Sequence, residues 1–268
     1  NSRSGLQPIC YVGGTQNSWS GVNVTQELVD EYAMANGIPI TDPQSGYDPQ
    51  NPYKNREKRF YQDIIYDGAD FMGYEAVYWT GSGSMNELDL NFGSTGRPCT
   101  VYHSRKAIEP QYYVNGYNQL SSANWVIFRY AEVLLGYAEA QNEANGPDES
   151  VYRTMNEIRA RVDLPALKTG LSQAEMRTAI HRERRVELAF EDKRWPDLIR
   201  LKAAEKLIPG TVHTMQIEQV NGKKVYKVIP TGGTNRAFDA SKNYLLPIPQ
   251  SVLDRNKQIL QNPGYGNN

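Results

Sequence analysis

The residues that most often carry metal or nucleophilic chemistry are scarce in this sequence. Its 268 residues include two cysteines and three histidines. Cys10 and Cys99 have no metal-ligand spacing, and their separation permits a disulfide without requiring one. The histidines are not at ligand spacing, and the sequence motifs of serine hydrolases, phosphate-binding loops and zinc peptidases are absent. We therefore predict no metal and no cofactor.

An excess of charge of one sign and a long hydrophobic run are also missing. The formal net charge is -1, which gives no overall attraction to nucleic acid or anionic lipid, so we expect no nucleic-acid partner. No apolar run approaches the roughly 20 residues that cross a bilayer, and residues 1–10 lack the apolar core of a signal peptide. We expect a soluble chain, and its 39% hydrophobic residues suffice for one large or two small domains.

Residues 171–207 are the longest stretch that favours helix both by composition and by the residues that typically start and end helices. Ser172 and Glu175 have the spacing of a capping box, in which each side chain binds a backbone amide that the helix leaves unpaired. Proline lacks the amide that a continuing helix needs but suits the first position of a new helix, so Pro196 predicts a break and a restart. The predicted helices are 172–191 and 196–208.

Two carboxylates lie on the apolar side of the first of these helices. Glu183 and Glu187 share that side with Ile180, Val186 and Phe190. A carboxylate is costly to bury unless a cation reaches it, so we expect arginine partners. The residues predicted to be structural are Glu183, Glu187 and Arg184. A glycoside hydrolase also needs two carboxylates, but nothing else in the sequence singles out this pair for catalysis.

A second pair of helices is predicted upstream. The helices are 129–145 and 149–163. Their apolar faces are formed by Tyr130, Leu134, Tyr137 and Ala138 in the first, and by Val151, Met155, Ile158 and Val162 in the second. Ile127 is predicted to be buried just before them. The short connection predicts an antiparallel pair similar to a tetratricopeptide hairpin, although no second copy occurs at a period of about 34 residues.

Three shorter elements are indicated elsewhere. A helix at 26–36 follows Thr25, a favourable capping residue, and ends before a glycine. Alternating residues at 73–84 predict an edge strand. Weakly alternating residues at 211–240 flank Asn221-Gly222, which is a hairpin signal. We interpret this last stretch as a peripheral ribbon.

Several stretches resemble the motifs of one known family. Residues 181–191, HRERRVELAFE, with the Arg-Trp-x-Asp-Leu that follows at 194–198, are similar to RRERRVELAFE-x-x-R-[FW]-x-D-L. The other matching stretches are 24–42, 59–68, 129–143, 156–165 and 244–265. The family is SusD/RagB, whose members are outer-membrane lipoproteins of nutrient uptake. The motifs occur in the family's order over nearly the whole chain, although Val24, Lys58 and Lys257 replace prolines of the family pattern.

This resemblance implies an architecture. The fold is expected to be mainly α and SusD-like, with tetratricopeptide-type helical pairs, long irregular loops and minor β-hairpins. Residues 1–268 are expected to form the C-terminal domain, while the signal peptide and the lipidated N-terminal helical half lie outside this chain. Cys10 follows no hydrophobic stretch and is not a convincing lipidation site. The expected location is the cell outer membrane, as a surface-exposed lipoprotein.

The resemblance also implies a function. The protein is expected to bind an oligosaccharide, or a peptide as some members do, and to pass it without catalysis to a SusC-like TonB-dependent outer-membrane transporter. Two alternatives come from other classes: a hydrolase of the same glycan, and a helical protein-interaction module. A conspicuous acid pair in a cleft would favour the hydrolase, exposed aromatic residues the binder, and a bare concave helical face the interaction module.

Two stretches have the composition of a sugar-binding surface, an aromatic ring beside amides and hydroxyls. The predicted ligand-binding residues are Trp19, Asn17 and Gln16 in the first stretch, and Tyr78, Trp79 and Asn86 in the second. Trp19 is favoured because its neighbours are too small and polar to bury it. Its alternative role is to anchor the loop on the core.

Overall fold

The computed structural model describes residues 23–71, 73–84, 87–88, 99–106 and 126–266. Helix is more frequent than strand in these ranges, in agreement with the predicted mainly α class. The helices are α1 (Gln26–Val29), α2 (Lys58–Asp63), α3 (Tyr130–Asn145), α4 (Glu149–Arg161), α5 (Gln173–Glu187), α6 (Arg194–Arg200), α7 (Ala204–Leu207) and α8 (Gln250–Arg255). The strands are β1 (Ile64–Ile65), β2 (Asp70–Phe71), β3 (Tyr74–Glu75), β4 (His103–Ser104), β5 (Gly210–Val220) and β6 (Lys223–Arg236). Within the described residues, no helix has the length and apolar character to cross a membrane.

The longest strands form the predicted hairpin. In the described ranges the strands form two-stranded antiparallel sheets, in which β1 pairs with β4, β2 with β3, and β5 with β6. Val220 pairs with Lys223 across a two-residue turn. The turn residues Asn221 and Gly222 both have positive φ, 52° and 75°, as a type I′ turn requires. The Asn-Gly signal therefore identified the turn correctly.

Three helices, α3, α4 and α5, pack together. Gln141, near the end of α3, donates a hydrogen bond to Asp148, which caps the start of α4. Gln173, at the start of α5, donates to the backbone carbonyl of Asn142 near the end of α3. Both α4 and α5 thus run antiparallel to α3, and the predicted antiparallel pair is confirmed. A tetratricopeptide-type arrangement stays a prediction.

In the part of the chain that the structure describes, two groups of buried apolar side chains form the core. One lies among α3, α4 and α5, and includes Leu135, Met155 and Ile180. The other lies among α1, α2, the short strands and the hairpin, and includes Val29, Phe60, Tyr102, Val186 and Met215. Because α5 contributes Ile180 to one group and Val186 to the other, this helix connects the two parts of the structure.

The buried face of α3 differs from the prediction. Leu135 and Ala138 are fully buried, whereas Tyr130 is 65% exposed and Tyr137 is 46% exposed. Ile127, predicted to be buried, is 77% exposed. The helix has apolar residues on two sides, and only the packing of α4 and α5 decides which side faces the core. The predicted burial of Tyr130, Tyr137 and Ile127 was wrong.

The predicted helix at 26–36 is reduced to α1, which ends at Val29. A longer helix would need the Val29 carbonyl to accept the amide of Ala33. Instead, the Arg56 guanidinium donates to the carbonyls of Val29 and Tyr32, at 2.6 and 2.7 Å. The amide of Ala33 donates to the Glu57 carboxylate at 2.8 Å. Side chains from a distant part of the chain have replaced the helical hydrogen bonds.

The helices around Pro196 also differ in their limits. The Ser172–Glu175 capping box is present and starts α5 as predicted. Helix α5 ends earlier than predicted, and Phe190 and Asp192 after it have positive φ, which a right-handed helix excludes. Pro196 occupies the third position of α6 rather than the first; first-turn amides have no helical partner, so proline is tolerated there. The predicted helix at 196–208 is divided into α6 and α7.

The predicted edge strand at 73–84 is present only as the two residues of β3. Beyond β3 the backbone bonds to other groups. The amide of Tyr78 donates to the Asp67 carboxylate at 2.9 Å, and that of Thr80 donates to the Ile217 carbonyl in the hairpin. The alternating residues pack into the core, so the alternation reflects burial and not strand pairing.

Candidate functional site

Arg59, in α2, lies at the centre of a buried cluster of charges. Its guanidinium group lies 2.7 Å from Glu57, 2.6 Å from Glu183 and 2.9 Å from Glu187. All four side chains are 5% exposed or less. The arginine partner expected for the two α5 carboxylates is therefore present, and it comes from a helix more than 100 residues away in the sequence.

Glu187 has two further arginine partners. It lies 2.7 Å from Arg129, which directly precedes α3, and 2.6 Å from Arg161, the last residue of α4. Burial opposes the ionisation of Glu187, but the hydrogen bond from Arg129 and the charges of the three arginines hold its pKa below the ordinary value. The cluster therefore fastens the end of α5 to α2, α3 and α4.

Glu183 and Arg184 extend this network. Glu183 lies 3.3 Å from Arg159 in α4. Arg184 lies 2.7 Å from Asp197 in α6 and 3.3 Å from Glu132 in α3. These contacts support the structural role predicted for Glu183, Glu187 and Arg184, and mutation is the test of that prediction.

The cluster also bears on the hydrolase alternative. One of the two carboxyl groups of a glycoside hydrolase must donate a proton to the leaving group. Glu187 is buried, and three arginines favour its ionised form, so it is poorly suited to that role. In the part of the chain that the structure describes, no group of three His, Cys, Asp or Glu side chains is placed to hold a metal ion.

Of the predicted ligand-binding residues, the structure describes Tyr78 and Trp79. Trp19, Asn17, Gln16 and Asn86 lie outside the described residues, as does Cys10. Cys99 is buried. Tyr78 is fully buried, and its hydroxyl lies 2.7 Å from the His103 Nδ1 atom. Tyr78 is therefore a core residue in this structure and has no surface that a ligand could contact.

Trp79 is half-buried and packs against the core beside the hairpin. The loop that follows it is held by Glu87, whose carboxylate accepts hydrogen bonds from the Ser82 hydroxyl and the Gly83 amide. Because Trp79 is only partly buried, this residue stays a proposed ligand contact.

Acidification is expected to destabilise the protein through His103. Burial lowers the pKa of His103 to about 3, whereas an unfolded histidine titrates near pH ~6.5. The unfolded state therefore binds the proton first. The stability that neutral His103 contributes is complete above pH ~6.5 and is lost as the pH falls toward about 3. Urea unfolding of His103→Phe should show a smaller loss of stability between about pH 7 and about pH 5 than the parent shows. Equal losses would contradict this prediction.

A cleft of about 750 Å³ lies beside the C-terminal end of α5. Its volume is within the range of small-ligand sites. Its walls come from α1, the end of α5, the α5–α6 connection, α6, the end of α7 and the end of β6. The apolar lining residues are Leu28, Leu188, Ala189, Phe190, Trp195, Pro196, Leu198, Leu207 and Ile208. The cleft thus has a largely apolar surface that is assembled from distant parts of the sequence.

Trp195 lines this cleft with 49% of its surface exposed. Its ring lies 6.3 Å from that of Phe238, which in turn lies 4.9 Å from the ring of Tyr244. The Lys202 ammonium group is 3.9 Å from the centre of the Tyr244 ring. An exposed indole at the edge of an apolar cleft, supported by further rings, is a surface on which the flat C–H face of a sugar can pack.

Most charged groups in the wall of the cleft already have partners. The pairs are Asp197 with Arg184 and Arg200, Arg185 with Glu31, Lys193 with Glu132, and Glu27 with His213. Among the residues that the structure describes, Arg194, Arg236 and Asp192 have no ion-pair partner, although they also line the cleft. Two cationic groups and one anionic group are therefore available to a ligand.

This cleft is not apparent from the sequence. Trp195 belongs to a motif that we interpreted as a helix restart, and Arg236 belongs to a predicted peripheral ribbon. The return of β6 brings Arg236 to the wall that Trp195 also lines. One signal in the sequence could have indicated it, namely the Arg-Trp-Pro run at 194–196. The start of a helix requires neither a large aromatic ring nor a cation, so Arg194 and Trp195 could have been considered as ligand contacts.

Comparison with known proteins identifies the family. A sequence profile of the SusD family matches residues 2–265. The chain belongs to the SusD family. Among curated proteins, this SusD-family chain is similar to SusD-like protein P2 of Formosa agariphila, with 37% identity over 153 residues, which are 54% of this chain and 26% of that protein. The resemblance found in the motifs is therefore confirmed.

Solved structures of SusD-like proteins have the same fold. One, from Bacteroides fragilis, is 30% identical, has a TM-score of 0.78 and is matched over 97% of this chain and 50% of its own. A SusD-like carbohydrate binding protein from the same species is 29% identical, with a TM-score of 0.71 over 88% of this chain and 48% of its own. The chain thus spans about half the length of these solved structures and a smaller share of the curated relative.

Proposed function

We propose that this chain is a glycan-binding component of an outer-membrane nutrient-uptake complex and that it catalyses no reaction. The observation that carries the proposal is the SusD-family match over residues 2–265. A solved relative at 29% identity is known as a carbohydrate binding protein, which supports a glycan as the ligand. The partner in this proposal is a SusC-like TonB-dependent transporter.

The proposal extends to the organisation of the whole protein. Residues 1–268 would be its C-terminal domain, as the motif resemblance implies, and the solved relatives are about twice as long as the part that matches. The remaining half would carry the lipid that holds the protein at the outer surface of the outer membrane. The ligand site can then include residues from that half.

The cleft at Trp195 is the glycan site that we propose within this chain. A sugar ring would pack its C–H face on the indole, while its hydroxyl groups contact the polar edge of the cleft. A protein that must release its cargo needs only modest affinity, and a millimolar Kd corresponds to about -4 kcal/mol. Trp79, and the loop with Trp19, Asn17 and Gln16, remain proposed contacts for further sugar units.

Replacing Trp195 with alanine is the test of this function. A glycan and peptide array probed with the full-length protein identifies a ligand, and calorimetry then measures its affinity. Trp195→Ala should weaken glycan binding at least about tenfold, because a stacked ring and its buried area contribute more than ~1.4 kcal/mol. Trp195 is half-exposed, so the variant should keep its circular dichroism spectrum.

Comparison variants make the result specific. Trp79→Ala and Trp19→Ala report on the two surfaces predicted from the sequence. Unchanged binding by a folded Trp195→Ala protein, with loss in one of the other variants, would move the site to that residue. Binding of peptides alone would favour the peptide-binding alternative, and cleavage of a glycan by the parent would revive the hydrolase.

A further inference from the structure

Two arginines in the cleft differ from the others in the same wall. Arg184 and Arg185 each have carboxylate partners. Arg194 and Arg236 have none within the described residues, and both are exposed. A guanidinium group without a partner keeps its full capacity to bind a carboxylate through two parallel hydrogen bonds.

The surroundings of Arg194 make a negative ligand group more favourable there. Partial desolvation and the nearby charge of Arg185 lower the pKa of Arg194 to about 10, and the charges of Glu31 and Asp197 offset only part of this effect. Arg194 therefore remains protonated at neutral pH, but its cation is less well stabilised than one in water. A ligand anion placed beside it would offset both effects. Asp192 is the one unpaired carboxylate among the described lining residues, so the unpaired groups carry an excess of positive charge.

The apolar part of the cleft decides which kind of anion fits. A free phosphate would leave the leucine-lined surface and the Trp195 ring unused. A uronic acid offers both required features in one unit, because its ring has an apolar C–H face and its C6 carboxylate lies at the ring edge. Sugar rings on the indole and carboxylates on the arginines are compatible in one bound oligosaccharide.

We propose that this cleft selects acidic oligosaccharides, with Trp195 packing on a sugar ring and Arg194 and Arg236 binding uronic-acid carboxylates. This inference rests on the proposed glycan-binding function and names its substrate class. Asp192 would disfavour a carboxylate on its own side of the cleft and so orient the bound chain.

The test compares two probes that have the same sugar backbone and differ in whether their carboxyl groups are charged or methyl-esterified. Calorimetry with the full-length protein measures binding of an α-1,4-linked tetragalacturonate and of the same tetrasaccharide with its carboxylates methyl-esterified. The acid should bind at least about tenfold more tightly than the ester, since charge-assisted hydrogen bonds are the stronger class. Added salt should weaken binding of the acid more than that of the ester.

Arginine variants then assign the effect to the cleft. Arg194→Gln and Arg236→Gln should each lower affinity for the acid about tenfold and leave affinity for the ester unchanged. Arg153→Gln is the matched control, since Arg153 is an exposed arginine on α4 outside the cleft. Arg153→Gln should bind both probes as the parent does. Thermal melting confirms that each variant is folded.

The possible failures are distinguishable. Equal binding of acid and ester, or cleft variants that behave like Arg153→Gln, overturns the selection of acidic sugars and leaves glycan binding in place. If neutral glycans bind and neither galacturonate probe binds, the selection of acidic sugars is likewise overturned and glycan binding is retained. If no array glycan binds, both the inference and the proposed function fail. Preferential binding of polyglutamate, included as a probe, would overturn the inference in favour of an acidic peptide.

Discussion

Replacing Glu187 with alanine is expected to lower the free energy of unfolding by about 3 to 5 kcal/mol. The carboxylate is 1% exposed and lies within 2.9 Å of Arg59, Arg129 and Arg161. Its removal leaves Arg59 in a buried position with one anionic partner fewer and leaves a cavity at the end of α5. Urea unfolding followed by circular dichroism measures the loss.

An exposed ion pair is the control for this variant. Glu143 pairs with Arg177, and both side chains are about 40% exposed. Glu143→Ala should change the unfolding free energy much less, because solvent screens exposed charges. In Glu187→Ala, ligand affinity per folded molecule should be unchanged. A variant with parental stability and no ligand binding would reverse the structural assignment of Glu187 and support the hydrolase.

Arg59→Met is expected to be at least as destabilising near neutral pH. One guanidinium group serves Glu57, Glu183 and Glu187, so its removal leaves three buried carboxylates with less positive charge. Breaking a buried pair by removal of one partner costs about 3 to 5 kcal/mol, and here three pairs share that partner. The methionine fills much of the arginine volume, so the loss reports on charge more than on a cavity.

The loss of unfolding free energy in Arg59→Met should depend on pH. The pKa shifts of the buried carboxylates determine whether this loss grows or shrinks as the pH falls. Burial already raises the pKa of Glu57 in the parent, despite the charge of Arg59. Without Arg59, the pKa of Glu57 in the folded state should rise further above the unfolded value of about 4.3. The folded variant then binds protons more readily than the unfolded chain, so it recovers stability as the pH falls from about 7 toward about 5.

Unfolding experiments at both pH values measure this recovery. The difference in unfolding free energy between parent and Arg59→Met should shrink at the lower pH. Arg177→Met, which breaks the exposed pair with Glu143, should show a small difference at both values. A gap between parent and Arg59→Met that is independent of pH would mean that the methionine disturbs packing and that the charges contribute little.

The sequence by itself determined the features that depend on neighbours along the chain. The Ser172–Glu175 capping box starts α5, and Asn221-Gly222 closes the hairpin, because each signal acts within a few residues. The antiparallel helices at 129–145 and 149–163 followed from apolar spacing and a short connection. The need for arginines beside Glu183 and Glu187 was also evident, since burial of a lone carboxylate is costly. The order of motifs along the chain was sufficient for the family.

Only the tertiary structure decided which distant groups meet. Arg59 reaches Glu187 across 128 residues of sequence, and no local pattern could name it. Arg56 and Glu57 take the backbone groups that would have extended α1. The packing of α4 and α5 determined which of the two apolar sides of α3 is buried. Tyr78 was enclosed in the core. Trp195 in α6 and Arg236 at the end of β6 line one cleft although they are distant in the sequence. Local signals fix backbone geometry over a few residues, whereas burial, ion pairing and clefts arise from contacts whose partners are set by packing of the whole chain.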